Sequence, residues 1–176
     1  LEKSPYPYIV KIKEKVKALL AEHAEKTFDL WLSQDKIECV PNYKFPSSIS
    51  PISVTTIIPK SLYTAEEDMN EQEIKLVWEL SALDNIKWWH RNISRLGFCI
   101  NGSINAYPDI IAMTESGRIL LIEPKGDHLE NDESKLKAKI GEAWSNNTDK
   151  RFRYFMVFDK KSPDYPGAYS HDEFME

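Results

Sequence analysis

The chain has 176 residues, a formal net charge of −5, and 41% hydrophobic and 29% charged residues. That balance belongs to a globular domain with a real core, and no apolar run approaches the ~20 residues of a membrane span. The acidic charge argues against a protein that grips nucleic acid over its whole surface. No secretory leader is expected. The only two cysteines, Cys39 and Cys99, lie outside any CxxC or Cys/His cluster, which fits two reduced thiols in a cytoplasmic protein.

Residues 8 to about 34 read as a helix. Ile9, Ile12, Val16, Leu19, Leu20 and His23 recur at helical spacing among Lys and Glu. This stripe predicts a packed face, against either the core or an upstream domain, with His23 a packed histidine. Pro41, Pro46, Pro51 and Pro59 break residues 35–64, which are expected to form a connector or a small β extension, with short extended pieces at 36–40 and 53–58. A second helix is expected over 71–83. Asn70 and Glu73 resemble a capping box, and Ile74, Val77 and Trp78 form its stripe. Residues 87–92 and 97–100 read as strands or strand edges.

The chain is organised around residues 107–126. Residues 109–114 and 118–123 are apolar extended runs, and Glu115-Ser116-Gly117 turns the chain between them. A second run apolar on both faces is expected of a strand inside a covered sheet. Glu123 and Lys125 then leave one face of that strand, with Cα atoms roughly 6.6 Å apart. A hairpin brings Asp109 beside Glu123. Two carboxylates there are a ready oxygen site for Mg²⁺, and a nearby Lys suits the attacking water.

After a polar loop, residues 132–145 read as a helix burying Leu136, Ile140, Ala143 and Trp144. Lys135, Lys137 and Lys139 crowd its other sides. Residues 151–158 form a last apolar strand, so strand–helix–strand predicts a crossover to a parallel partner. The expected fold class is α/β, a central mixed sheet flanked by helices with an N-terminal helical extension. The expected division is 1–67 (helix and connector), 68–160 (core domain) and 161–176 (an acidic tail, weakly ordered or laid over the surface). There is no GxxxxGK[ST] loop, so no P-loop motor.

Acid-x-Lys triplets also occur at 73–75, 133–135 and 159–161. Only 123–125 combines an apolar strand, a partner Asp and a following helix. Pro108, Asp109, Glu123 and Lys125 resemble the PD-(D/E)xK nuclease pattern. With Trp89, His90, Arg91, Asn92, Tyr107, Gly126 and His128, residues 68–158 are similar to the C-terminal endonuclease domain of type III restriction enzymes, the Res subunit.

That resemblance implies a restriction-endonuclease-like core and Mg²⁺-dependent cleavage of double-stranded DNA. Asp109, Glu123 and the Pro124 carbonyl would hold the metal, with Glu73 as the upstream acid and Glu79 as its fallback. Lys125 would serve the nucleophile. Pro124 departs from the small or β-branched residue usual there. His90, Arg91, Asn92, Lys135, Lys137 and Lys139 are candidate DNA contacts, and His128 either touches phosphate, stands behind the metal site, or is structural and caps its loop. The partners implied are an ATP-dependent helicase-like motor domain of the same polypeptide and a methyltransferase–specificity subunit. Three alternatives stay open: another PD-(D/E)xK repair or phage nuclease, a catalytically silent nuclease-like DNA-binding scaffold, and a non-nuclease module whose first helix docks a partner.

Overall fold

The computed structural model describes residues 6–40 and 42–176. Packing divides the chain into two units. One contains α1 (Tyr6–Ser33) and the segment Asn101–Asn105. The stripe expected to pack is exposed at Ile9, Ile12, Val16, Leu19 and Leu20, and Phe28 is the one buried residue of α1. His23 is not packed either: it is exposed, and its Nδ1 pairs with Thr27 Oγ1 one turn on, at 2.9 Å. Helical periodicity specifies a face but not what covers it.

The second unit spans Glu38–Ile100 and Ala106–Glu176. Its helices are α2 (Glu71–Ala82), α3 (Asp132–Asn147) and α4 (His171–Met175). Its main strands are β1 (Ile86–Arg91), β4 (Ile110–Thr114), β5 (Ile119–Lys125), β6 (Phe152–Phe158) and β7 (Ala168–Ser170). Two short strands, β2 (Ile100–Asn101) and β3 (Asn105–Ala106), pair separately. The five-stranded order is β1-β4-β5-β6-β7. The β1–β4 and β4–β5 pairs are antiparallel, and β5–β6 and β6–β7 are parallel. The sheet is therefore mixed, with α3 as the crossover. Gly117 turns the β4–β5 hairpin at φ 82°, in the region glycine enters without Cβ strain.

Strand alternation sorts the core. Trp89, Ile110, Ala112, Ile122 and Val157 form one cluster with Leu76, Val77 and Leu80 of α2. Trp78 was expected in that stripe but is 45% exposed. Leu76 and Leu80 take the inward positions beside Val77, because the helix meets the sheet one residue round from the expected face. The Asn70–Glu73 capping box forms as read.

Two further expectations change. The segment 38–67 does not stand apart as a connector. Trp89 Nε1 donates to Pro59 O at 2.7 Å, and Leu62 N donates to Trp89 O at 2.7 Å. β1 is an edge strand, so its outer backbone groups need partners, and residues 60–62 supply them. The acidic tail is not loosely laid. It adds β7 beside β6 and then α4, capped by a Ser170–Glu173 box. Tyr169 and Phe174 both meet the Phe155 ring, at 5.4 and 5.1 Å between centroids. Three strand residues are too few for a period to be legible in the sequence.

Ending the chain after Ser162 should therefore destabilise the sheet by at least about 2 kcal/mol, the scale of one uncovered large apolar side chain. Urea denaturation of the full and shortened chains checks this, and equal midpoints would refute it.

Candidate active site

The hairpin register pairs Ile110 with Ile122, so Asp109 and Glu123 follow one step further at the same end. Alternation puts both on the face that also carries Leu121, Lys125 and Tyr154. Glu123 is the centre of the group, with 1% of its surface exposed. Its Oε2 accepts from Tyr154 Oη at 2.8 Å. Its Oε1 takes two ammonium groups, Lys125 Nζ at 2.9 Å and Lys137 Nζ at 3.1 Å.

Arg91, the last residue of β1, closes the other half. Its guanidinium reaches Asp109 Oδ1 at 3.1 Å and Glu73 Oε1 at 3.2 Å. It also donates to the Asp109 carbonyl at 2.9 Å. Glu73 serves two purposes at once. Its Oε2 accepts from Asn70 N at 3.0 Å to complete the helix cap, while Oε1 faces Arg91. Three carboxylates at the sheet end (Glu73, Asp109, Glu123) thus meet three cations (Arg91, Lys125, Lys137), a formally neutral set, and Lys137 also reaches the exposed Glu133 at 3.4 Å.

Burial decides the ionisation of this group. It pushes the Asp109 carboxyl above its usual range, Arg91 pulls it back, and Glu123 raises it again. Burial likewise raises Glu73, against the pull of Arg91 and with a further push from Asp109. For Lys137, burial works downward, but attraction to Glu123 and Glu133 carries it above its ordinary value. Burial, followed by the Glu123 charge, holds the Tyr154 hydroxyl well above its usual value, so Tyr154 is a donor at any working pH.

Among the described residues no three His, Cys, Asp or Glu side chains stand in a metal-holding cluster. The carboxylates nevertheless fit a hard divalent ion in donor chemistry. The positive charge such an ion would bring is here supplied by Arg91, Lys125 and Lys137, bonded to the same oxygens.

The other predicted residues fall elsewhere. His90 and Asn92, read as DNA contacts, are turned inward at 4% and 1% exposure, which leaves no surface for a phosphate. His90 Nδ1 donates to Glu66 Oε2 at 2.8 Å, and its ring lies against Phe45 and Tyr63. Asn92 donates to Pro108 O at 2.7 Å and Phe98 O at 2.9 Å, and accepts from Phe98 N at 2.7 Å. It thereby anchors the residue preceding Asp109. Arg91 and Lys137, read as backbone contacts, point instead into the carboxylates. Lys135 is exposed and Lys139 half-buried on α3. Glu79 is held by Lys75 and by His171 of α4, which leaves Glu73 as the acid coupled to Asp109. Pro124 is buried in β5 opposite Val157. His128 lies in the turn Asp127–Leu129, its ring over Gly126, where a Cβ would crowd it.

Sequence reasoning missed Tyr154 and Glu66. Tyr154 lies within an apolar strand and Glu66 is one of three consecutive acids in an irregular stretch, and nothing in their spacing marks them. Comparison of the chain with protein-family models, with curated proteins and with solved structures finds no match to any of them. Among the described residues no helix is long and apolar enough to cross a membrane.

The raised carboxyls give a signed pH dependence. Their folded pKa exceeds the unfolded one, so between the two values the folded chain binds more protons. The stability they contribute is present on the acid side and lost as pH rises through the folded value. Asp109→Asn removes that loss. Its stability relative to the parent should rise as pH climbs above about 4, the ordinary unfolded value, read from urea melts of metal-free protein. A flat or falling difference would contradict this.

Proposed function

We propose that this chain is a Mg²⁺-dependent nuclease domain of the PD-(D/E)xK kind, hydrolysing phosphodiester bonds of double-stranded DNA. In this reading it is the cytoplasmic cleavage module of a type III restriction enzyme, working with a motor domain in the same polypeptide and a methyltransferase–specificity subunit. One observation carries the reading: Asp109, Glu123 and Lys125 converge at one end of the central hairpin, with Glu73 brought to Asp109 through Arg91.

In this reading Asp109, Glu123 and Glu73 hold the metal, with the Pro124 carbonyl as a further donor. Bound Mg²⁺ supplies a Lewis acid for the phosphoryl group and a lower pKa for an attacking water. Lys125, an ammonium already on Glu123 Oε1, would position that water by donating a hydrogen bond, and would accept its proton only after giving up one of its own. Arg91 and Lys137, now on these carboxylates, would be the cations available to balance charge that grows on the phosphate oxygens. Lys135 and Lys139 lie on α3 two residues to either side of Lys137, on other sides of the helix; the reading gives them contacts that would position the DNA backbone without reading sequence.

The same charge balance favours a second reading. Three carboxylates neutralised by three internal cations form a closed structural cluster, which a catalytically silent DNA-binding domain could keep.

Calorimetric titration with Mn²⁺ or Mg²⁺, with and without a duplex oligonucleotide, separates the two. The nuclease reading expects binding that is lost in Asp109→Asn. Absence of binding by the unmodified chain in both conditions leaves the silent domain standing. Glu123→Gln is the variant to use at that position, because Glu123→Ala strands the buried Tyr154 hydroxyl and should destabilise the fold by ~1–3 kcal/mol. In the complete polypeptide, Asp109→Ala, Glu123→Gln and Lys125→Ala should each lower duplex cleavage by about 10²-fold or more. Full cleavage by Lys125→Ala would remove Lys125 from this role.

A further inference from the structure

One face of α3 serves the Glu123 carboxylate. Lys137, Gly141 and Ser145 follow at four-residue steps and so line one side of the helix. Lys137 Nζ reaches Glu123 Oε1 at 3.1 Å. At Gly141 an added Cβ would overlap the Tyr154 ring, so the glycine opens the slot in which that ring lies. Ser145 Oγ accepts from Tyr154 N at 2.8 Å and fixes the backbone beneath the ring. The ring is 1% exposed, and its hydroxyl donates to Glu123 Oε2 at 2.8 Å.

The two oxygens of Glu123 are therefore unequal. Oε2 is tied to a core hydroxyl. Oε1 carries both ammonium groups and faces the charged end of the sheet. We propose that Tyr154 is a positioning residue, seated by Gly141, that confines Glu123 to one-oxygen ligation of a metal through Oε1. This inference rests on the nuclease reading of the same site and adds a preference among metals. One-oxygen ligation suits Mg²⁺, which demands a compact octahedron at short distance. A carboxylate with both oxygens free also suits Ca²⁺, which accepts two-oxygen ligation at longer distance.

Tyr154→Phe keeps the ring and deletes the bond. Calorimetry with Mg²⁺ and with Ca²⁺, in the presence of duplex oligonucleotide, gives the ratio of the two affinities. Thermal melts establish that the variant is folded. The expected result is a shift of at least about tenfold toward Ca²⁺ in Tyr154→Phe. A merely structural tyrosine would weaken both metals alike. If the unmodified chain binds metal and the ratio moves by less than about threefold, the positioning role is overturned and the nuclease reading survives. If the unmodified chain binds neither ion, both fall together. Should Tyr154→Phe fail to fold, Gly141→Ala provides the same test, because it displaces the ring while the hydroxyl remains, and the same shift is expected.

Discussion

The charged end of the sheet depends on one buried carboxylate. An isolated charge at the depth of Glu123 would be severely penalised. It is tolerated because each oxygen is satisfied, one by a core hydroxyl and the other by two ammonium groups. Those partners come from β5, β6 and α3, so the packing of three elements converges on one side chain. Removing one partner of such a group costs far more than the net worth of the pair suggests.

Arg91 is the matching device on the other side. It sits at the end of β1 and bridges a helix carboxylate to a strand carboxylate. Asn92 next to it ties the chain to Pro108, so the residue that orients the guanidinium's neighbour also sets where Asp109 begins. The run from His90 to Asn92 is thus a support structure. His90 locks residue 66 to β1, Arg91 balances charge, and Asn92 fixes a loop. Of the three, only Arg91 keeps any proximity to a phosphate in the proposed reaction.

Under the proposed nuclease reading, metal affinity in the DNA-free chain would be sensitive to these cations. With its own cations in place the site is formally neutral, and a divalent ion has to compete with groups already bonded to the same oxygens. A phosphate entering the site brings negative charge and other partners for Lys125, Lys137 and Arg91. In that reading, binding of metal and of DNA would be linked through the same side chains, as any pair of ligands sharing charge partners must be.

Much was determined by sequence alone. The hairpin, the α2 cap, the α3 crossover and the pairing of Asp109 with Glu123 and Lys125 all follow from local rules: alternation, a positive-φ glycine, an Asn–Glu box and apolar periodicity. These features are legible because each is written within a few consecutive residues. What only the tertiary structure decided is the company those residues keep. Tyr154 comes 31 positions after Glu123, and its hydroxyl meets that carboxylate only because β6 lies parallel to β5 in one register. Glu66 reaches His90 across 24 positions that include the whole of α2. Lys137 lies among three nearby α3 lysines, and only the tilt of the helix on the sheet selects it for Glu123. The tail joins the sheet because β6 leaves an edge to cover. Contacts of this kind are set by the packing of whole elements, and no short window of sequence encodes them.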